Sequence, residues 1–311
     1  MTVDVIIPTY KPDSRLLNVI EKLRAQTVAP QRIVLINTEK KYMDELLGRC
    51  GIDPAQSGFE VINIDKSEFD HGKTRNEGSK GSEADYLLYM TMDAAPADDK
   101  MIEIMAGAFC DNKVAAVYAR QLPYDDASLG ERFSRSFNYP AISHVKSLAD
   151  KERLGIKTFF CSNACAMYDR KVFEQLGGFP EGMIFNEDMV FARRIIEEGY
   201  SIAYESKAGV YHSHNYTNMQ QFHRNFDLAV SQAMHPEVFS DVSSESEGMT
   251  YVKTAFVYFL KQGRPFYFIP FALQSVFRLA GYRLGKRYDR LSHDMILKFT
   301  SNPDFFYRYW S

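Results

Sequence analysis

Five side chains suited to metal binding or proton transfer occur at the ends of three separate segments: Asp93, Glu187, Asp188, His212 and His214. Asp93 follows the apolar run at 86–91. His212 and His214 are two residues apart, so they lie on the same side of an extended strand. Carboxylates and imidazoles bind divalent cations, and a positioned carboxylate can accept a proton. Together these residues indicate one divalent-metal and general-base site better than three unrelated features.

Each of these residues also has a purely structural explanation. Aspartate often caps a helix or opens a turn before a proline, and Asp93 precedes Pro96. Glu187 and Asp188 begin the amphipathic pattern at 185–199, where acidic side chains interact favourably with the helix dipole. A pair of surface histidines commonly has no ligand. The combination, rather than any single residue, therefore predicts function.

Short apolar runs that alternate with helical patterns must position these residues. Predicted strands lie at 3–8, 32–37, 59–64, 86–91 and 114–119. This order predicts an α/β fold with a mainly parallel sheet and helices on both faces. Ligands in such sheets bind beyond the carboxyl ends of the strands. The residues at those ends are Pro8, Thr9, Tyr10, Asn37, Thr38, Glu39, Asp65, Lys66, Asp93, Ala94 and Ala95.

The composition is that of a globular protein. The 311 residues, 45% of them hydrophobic, can bury a full core and form one large domain with an appendage. The N-terminus has no basic segment followed by an apolar stretch, so no signal peptide is indicated and a cytosolic site of action is expected. The four cysteines lack zinc-like spacing and are interpreted as reduced structural thiols: Cys50, Cys110, Cys161 and Cys165.

Charge is distributed unevenly along the chain. Residues 251–290 contain eight Lys or Arg and one acid, Asp289, in a chain whose net charge is −3. The acidic remainder argues against a nucleic-acid partner for the main body. The basic segment is expected to have a separate role.

Several motifs resemble glycosyltransferase family 2, which has the GT-A fold. The resemblance spans 3 to about 215 and rests on "VDVIIPTYKPDSRLLNVIEKLRAQT", the strand that ends in Asp93, and "CSNACAMYDRKVFEQLGGFPEGMIFNEDMVFARRIIEEGY". Within that family, "FDHGKTRNEG", "MTMDAAP" and "VYHSHNY" are similar to bacterial rhamnosyltransferases that use dTDP-L-rhamnose, especially streptococcal enzymes of rhamnose-rich cell-wall polysaccharide. The resemblance implies a GT-A catalytic domain at 1–216 and a C-terminal helical extension at 217–311.

The resemblance also implies a reaction and a metal. The reaction is inverting transfer of rhamnose from dTDP-L-rhamnose to a hydroxyl of a lipid-linked saccharide acceptor. Most members carry Asp-x-Asp where this chain has Thr91-Met92-Asp93, so only the metal-contacting acid remains. Asp93 and one imidazole, from His212 or His214, would hold Mn²⁺ or Mg²⁺ together with phosphate oxygens. Weak metal binding and a metal-independent reaction are both compatible with one aspartate.

The remaining site residues are assigned by the same resemblance. Asp188 would be the general base, and an ordinary aspartate near pKa ~3.9 is a weak base unless Glu187 and burial raise its pKa. Arg75 could offer a planar fork to a phosphate or to thymine, or could be a solvated residue at a helix start. The nucleotide-sugar donor would contact Pro8, Thr9, Tyr10, Asn37, Glu39, Arg75, Asp93 and Asn163.

Other functions fit the sequence less well. A sugar-phosphate nucleotidyltransferase needs a glycine-rich loop after the first strand, and "PTYKPD" has none; a dehydrogenase would show G-x-G-x-x-G, which is absent. A non-catalytic nucleotide-sugar-binding relative would lack the acidic pair at 187–188. A family 2 transferase that uses another sugar nucleotide remains the other alternative.

The extension at 217–311 is predicted to be helical, with a basic and aromatic part. Its longest uncharged run, 265–277, has thirteen residues, against the ~20 that span a bilayer. We expect the segment to lie on the anionic inner face of the plasma membrane, with its Lys and Arg side chains at the headgroups and aromatic residues below. The alternative is that these helices pack on the catalytic domain or form a homodimer interface.

Overall fold

A computed structural model describes residues 1–53, 57–111, 113–240 and 245–310. The strands are β1 (Val3–Tyr10), β2 (Arg32–Thr38), β3 (Glu60–Ile64), β4 (Tyr86–Met90), β5 (Ala95–Pro96), β6 (Val114–Leu122), β7 (His144–Lys146), β8 (Cys165–Asp169) and β9 (Ser201–Tyr211). The helices of the catalytic part are α1 (Ser14–Arg24), α2 (Lys40–Cys50), α3 (His71–Ser79), α4 (Met101–Gly107), α5 (Leu129–Asn138), α6 (Lys151–Leu154), α7 (Arg170–Gln175) and α8 (Glu187–Glu197). The C-terminal helices are α9 (Asn218–Met234), α10 (Pro236–Phe239), α11 (Glu245–Lys261), α12 (Phe268–Gly285), α13 (His293–Phe299) and α14 (Pro303–Trp310).

The strands form one mixed sheet in the order β3-β2-β1-β4-β8-β6-β9-β5, with β7 also paired to β9. All five predicted strands are present, and the predicted α/β class is confirmed. Strands β1 to β4 pair in parallel, as expected. Strand β8 is antiparallel to both β4 and β6, which the sequence pattern did not predict. The sheet therefore has a parallel half and a mixed half, and β8 joins them.

Two cores cover the two faces of the sheet. Alternation along β1 sends Val5 and Ile7 into the core beneath α1, α2 and α4, and Ile6 into the core beneath α7 and α8. Cys165 belongs to the first core and Cys161 to the second. Because both faces are buried, the free space for a ligand lies at the strand ends.

The C-terminal helices fold back onto these strand ends. Phe226 of α9 packs with Phe305 and Phe306 of α14. The buried Asp227 carboxylate accepts hydrogen bonds from the Thr300 hydroxyl at 2.6 Å and the Ser301 N–H at 2.9 Å. The segment after α13 is thereby fixed over the catalytic part.

None of the helices in the described part of the chain is both long and apolar enough to cross a bilayer.

Helices α9 and α12 approach each other closely at two glycines of α12. A Cβ at Gly281 would lie 2.2 Å from the carbonyl oxygen of Phe222, and one at Gly285 would lie 2.3 Å from that of Phe226. These distances are far below van der Waals contact with a rigid backbone. The glycines therefore set the separation of the two helices.

We expect Gly281→Ala to lower the free energy of unfolding by about 1–3 kcal/mol, because the helices must separate to admit the methyl group. Gly48→Ala is the matched control. Gly48 is also helical and has nothing within 4 Å of its Cβ position, so the change should stabilise the protein by about 0.5–1 kcal/mol. Urea unfolding measures both values. Equal effects of the two substitutions would show that the close approach does not constrain the fold.

Candidate functional site

Asp93, His212 and His214 converge at the carboxyl ends of β4 and β9. The His214 Nε2 lies 3.2 Å from one Asp93 carboxylate oxygen, and the His212 Nε2 lies 3.6 Å from the other. The two Nε2 atoms are 3.1 Å apart. One ligand atom from each residue falls within a 4.8 Å group. The predicted convergence of these three residues is confirmed.

Gln121 of β6 determines which imidazole nitrogen of His212 faces Asp93. Its Oε1 accepts from Arg135 Nη1, and a guanidinium can only donate, so the amide oxygen must face that side. The same oxygen lies 2.9 Å from His212 Nδ1, which must therefore carry the proton. The His212 Nε2 then presents its lone pair toward Asp93. Gln121 was not predicted from the sequence.

The electrostatics of this cluster suit a cation. Burial lowers the pKa of His212 to about 3 even though the Asp93 carboxylate opposes this shift, so the imidazole is neutral at physiological pH. Burial also lowers the pKa of His214. Burial alone would raise the pKa of Asp93, but attraction to the protonated forms of His212 and His214 opposes it, and the net shift is downward. A carboxylate with two neutral imidazoles fits a divalent metal such as Mn²⁺.

Glu187 and Asp188 form a second site at the start of α8, where Glu187 is buried and Asp188 is half-buried. Asn186 begins the helix in the left-handed conformation, with φ of 65°. One Asp188 oxygen accepts from the Asn163 N–H at 3.2 Å, and the other accepts from the Met189 N–H at 2.8 Å. Asn163 also donates through its side chain to Glu187 Oε1 at 3.4 Å. The predicted acids and Asn163 thus belong to one hydrogen-bonded group.

The two adjacent carboxylates have opposite pKa shifts. Burial, followed by repulsion from Glu187, raises the pKa of Asp188 to about 7. Burial would also raise the pKa of Glu187, but attraction to Arg75 and then His71 lowers it overall. The pair therefore holds one ionised acid and one acid that titrates near neutrality, which suits a general base.

Arg75 is the positively charged partner of the acid pair, and its side chain is buried. Its side chain is 8% exposed, its Nη1 lies 3.2 Å from Glu187 Oε1, and the same atom donates to the His71 carbonyl at 2.8 Å. The sequence suggests that Arg75 is either a fork for a phosphate or thymine, or a solvated residue at a helix start. In the structure it is instead the buried partner of Glu187. His71 packs edge-on against Phe69, with ring centroids 5.1 Å apart.

The rest of the "FDHGKTRNEG" segment anchors the loop before α8. The Asn76 amide donates to the Phe179 carbonyl at 2.9 Å and accepts from the Phe179 N–H at 3.0 Å. The Asp70 carboxylate accepts from Gly182 N–H at 2.9 Å. A Cβ at Gly72 would lie 1.8 Å from the Pro180 carbonyl oxygen. The motif therefore positions the acids of α8.

Ser162 and Asn163 link two groups of residues: the metal-type cluster of Asp93, His212 and His214, and the acid pair of Glu187 and Asp188. Gln121 Nε2 donates to the Ser162 hydroxyl at 2.9 Å, while the next residue, Asn163, donates to Asp188. Asn163 is further fixed by the Tyr168 hydroxyl, which donates to its Oδ1 at 2.9 Å. A shift in this two-residue segment would move the metal-type cluster and the acid pair together.

A cavity of about 250 Å³ lies at the carboxyl ends of the parallel strands. It is lined by Tyr10, Thr38 and Lys66 from three strand ends, by Phe69, and by the C-terminal residues Ser301, Asn302, Pro303, Asp304 and Arg308. Lys66 forms an ion pair with Asp304 at 2.8 Å, and Arg308 donates to the Ser67 carbonyl at 2.9 Å. The C-terminal segment, which the sequence did not associate with a ligand, is therefore one wall of this cavity.

The other predicted donor residues lie beside this cavity with different degrees of exposure. Thr9 and Asn37 are buried, and the Thr9 hydroxyl donates to Asn37 Oδ1 at 3.3 Å. Pro8 is half-buried in the same strand. Glu39 has a φ of 62° and pairs with Lys41 at 2.9 Å. Of the donor residues predicted at the first two strand ends, namely Pro8, Thr9, Tyr10, Asn37 and Glu39, Tyr10 alone lines the cavity; the neighbouring Thr38 lines it as well.

A curled mixed sheet with a carboxylate–imidazole cluster, a buried acid pair and a strand-end cavity defines a glycosyltransferase of the GT-A type. Residues 4–177 match the model of glycosyl transferase family 2. The chain belongs to that family, as the resemblance predicted.

Known proteins resemble this chain over most of its length. It is 41% identical to the O-antigen chain rhamnosyltransferase RfbN of Salmonella typhimurium, over 94% of this chain and 91% of that protein. It is 38% identical to the O-antigen chain rhamnosyltransferase WbaN of Salmonella anatum, over 92% and 90%. The structure of a mannosyltransferase from Pyrobaculum calidifontis, solved with GDP-Man and Mn²⁺, superposes with a TM-score of 0.63 at 13% identity, covering 93% of this chain and 88% of that one. The last comparison confirms the fold.

The pKa of Asp188 leads to a testable titration. The ionised form must predominate for this side chain to accept a proton, so its function is lost as the pH falls through about 7. Glu187→Gln removes a like charge and leaves Arg75 to act on Asp188 alone, and both effects lower the pKa of Asp188. We expect the titration of its carboxyl carbon, followed by ¹³C NMR, to move to more acidic pH in this variant. An unchanged or higher midpoint would contradict the assigned electrostatics.

Proposed function

We propose that this protein transfers an L-rhamnosyl group, with inversion, from dTDP-L-rhamnose to a hydroxyl of a lipid-linked saccharide during surface polysaccharide synthesis. The proposal rests on sequence similarity along nearly the whole chain, which is 41% and 38% identical to two O-antigen chain rhamnosyltransferases. The site adds a buried acid of suitable pKa beside a cluster that fits a cation. The predicted dTDP form of the donor and the lipid-linked acceptor are part of the proposal.

Asp93, His212 and His214 would hold the divalent cation. Three residues that converge within 4.8 Å give the cluster more donors than the single aspartate and single imidazole expected from the sequence. Imidazole ligands favour Mn²⁺ over Mg²⁺. When bound, the cation offsets negative charge on the departing nucleoside diphosphate. Gln121 keeps His212 in the tautomer that can ligate it.

The nucleoside of the donor occupies the strand-end cavity in this proposal. Tyr10 and Phe69 offer aromatic faces there, and Asn302 offers an amide that can pair with a base edge. Thr9 and Asn37 support the strand ends from beneath, with Pro8 and Glu39 beside them. Asn163 would orient the donor sugar next to the acid pair. Lys66 and Arg308 supply positive charge at the same cavity.

Asp188 is the proposed general base. The acceptor oxygen attacks the anomeric carbon, the bond from that carbon to the phosphate oxygen breaks, and the hydroxyl proton passes to an Asp188 oxygen. Two backbone N–H groups hold the carboxylate in one orientation for this step. Glu187 stays ionised against Arg75, so its charge keeps Asp188 basic without competing for the same proton.

Substitution of Asp188 and of Asp93 by asparagine should affect different steps, turnover in the first case and donor binding in the second. Asp188→Asn removes the proton acceptor, so turnover of dTDP-rhamnose should fall about 10²-fold or more while donor affinity changes little. Asp93→Asn should weaken donor binding in the presence of Mn²⁺, and a higher Mn²⁺ concentration should restore part of it. Steady-state kinetics and donor titration by calorimetry separate the two effects.

Asp169→Asn is the matched control for this experiment. Asp169 also stands at a helix start, where its carboxylate accepts from the Val172 N–H, and asparagine caps equally well, so turnover should be unchanged. An Asp188→Asn protein that keeps a substantial fraction of wild-type turnover would exclude it as the base, and Glu187 would be tested next. Tight dTDP binding without turnover of any sugar nucleotide would favour a non-catalytic binding protein.

We also propose that the hairpin of α11 and α12 docks on an anionic membrane surface. Its inner face packs on α5, where Phe259 and Phe271 surround Phe133. Its outer face is apolar and exposed, with Phe266 at 83% and Ile269 at 67%. Exposed basic residues lie in the same two helices and directly beside them: Lys253, Lys261, Arg264, Arg283 and Arg287. An apolar surface edged by positive charge fits an interfacial helix pair on anionic lipids.

Substitution of both Phe266 and Ile269 by serine should reduce flotation with phosphatidylglycerol vesicles about 10-fold or more, since two of the most exposed apolar groups are lost. The full chain is used because α12 also packs on α9, so its removal would expose the core. Ile142→Ser, at a 75% exposed position away from the hairpin, is the control and should float normally. Equal flotation of the double variant and the wild type would favour the packed-domain or homodimer alternatives.

A further inference from the structure

A second cavity, of about 220 Å³, lies between the end of β6, helix α5 and helix α11. Three arginines line it, namely Arg120, Arg132 and Arg135, together with Gln121, Tyr139 and Tyr258. Within the described ranges, no carboxylate is part of its wall. Neither the family motifs nor the proposed donor site uses this cavity.

Two of the three arginines have no carboxylate partner among the residues that the structure describes. Arg132 donates only to backbone carbonyls, those of Ala127 at 3.0 Å and Asp125 at 2.6 Å. The Arg120 side chain has no hydrogen bond or ion pair to the residues that the structure describes, and its Nε is closed off from solvent. Only Arg135 is neutralised, by Glu131 at 2.6 Å. The cavity therefore carries uncompensated positive charge.

Guanidinium groups that line a cavity without a carboxylate partner are explained most directly by a ligand that supplies acceptor oxygens. The planar fork of arginine matches phosphate oxygens in particular. The hydroxyls of Tyr139 and Tyr258 can donate to the same oxygens. A phosphate or diphosphate group has the charge and the number of acceptors that this wall can satisfy.

The position of the cavity indicates which phosphate it receives. Gln121 lines the cavity and also hydrogen-bonds to His212, so the cavity adjoins the metal-type cluster. On its other side, Tyr258 belongs to α11, whose neighbouring residues Val257 and Leu260 lie on the exposed apolar face. An acceptor with its saccharide at Asp188 and its lipid in the membrane would place its phosphate between these two surfaces.

We propose that the cavity at Arg120 and Arg132 binds the phosphate group that joins the acceptor saccharide to its lipid. This inference rests on the proposed function, because it assigns a subsite to its acceptor. The acceptor is then recognised by its charged linkage as well as by its terminal sugar. Neither arginine contacts the reacting atoms, so both act through binding.

The first test measures binding of inorganic diphosphate to the full-length protein by calorimetry, in a buffer with Mn²⁺ and saturating dTDP so that the donor site is already occupied. Arg120→Ala and Arg132→Ala should each weaken this binding about 10- to 100-fold, as expected for loss of charge-assisted hydrogen bonds. Arg49→Ala, at an exposed arginine of α2 paired with Glu45, should have no effect. Unchanged diphosphate affinity in both cavity variants would overturn the proposal.

The second test compares two acceptors with the same saccharide, one joined to a short lipid through diphosphate and one a neutral alkyl glycoside. Arg120→Ala and Arg132→Ala should raise KM about 10-fold or more for the diphosphate acceptor and leave KM for the neutral glycoside unchanged. Arg120→Lys, which keeps the charge, should recover part of the loss. An equal rise for both acceptors, or a weaker dTDP-rhamnose affinity, would contradict an acceptor-phosphate site.

Vesicle flotation distinguishes an acceptor phosphate from a lipid headgroup. The cavity variants should float with phosphatidylglycerol vesicles as the wild type does, and reduced flotation with unchanged acceptor KM would assign the cavity to headgroups and overturn the proposal. If the proposed function itself is wrong, neither acceptor will be turned over. Diphosphate binding to the wild type and the cavity variants would still show whether the cavity binds phosphate groups. Thermal melting confirms that each variant is folded.

Discussion

The orientation of one buried amide, that of Gln121, determines how the rest of the site is arranged. Arg135 forces its oxygen to one side, and that oxygen fixes the proton of His212 on Nδ1. The amide nitrogen must then point the other way, toward Ser162. A reversed amide would place a donor against the guanidinium and remove the lone pair that His212 presents to Asp93. The metal-type cluster, the loop that holds Asp188 and the wall of the arginine cavity therefore share one side chain.

The acid pair depends on a different constraint, which is a shortage of positive charge. Arg75 is the only cation in ion-pair contact with these acids within the described ranges, and it contacts Glu187. Two adjacent ionised carboxylates beside a single cation would leave one charge uncompensated, which is unfavourable where the carboxylates are largely shielded from water. Asp188 instead keeps a pKa of about 7 and gains two backbone hydrogen bonds when ionised. The order of the residues along α8 thus gives the two acids opposite pKa shifts.

Sequence reasoning succeeded where a local pattern determines the outcome. Alternating apolar runs located the strands, and the rule that ligands lie at strand ends brought Asp93 together with the histidines of β9. The same rule, had it been applied beyond residue 119, would have reached Arg120 and Gln121 at the end of β6. Arg75 could not be placed, since a buried ion pair to Glu187 joins residues far apart in the chain. The antiparallel β8 was missed for a similar reason, because a short apolar run does not reveal its direction.

The C-terminal helices and the segments between them contribute to the walls of both cavities. Asp227 fixes the segment at 300–301, and that segment closes the cavity at the parallel strands. The same set of helices presents the apolar hairpin and, through Tyr258, one wall of the arginine cavity. Gly281 and Gly285 hold α12 against α9, so the hairpin and the strand-end cavity are parts of one packed layer. The tail, which the sequence suggests is a separate basic appendage, is therefore packed against the strand ends as part of the same body.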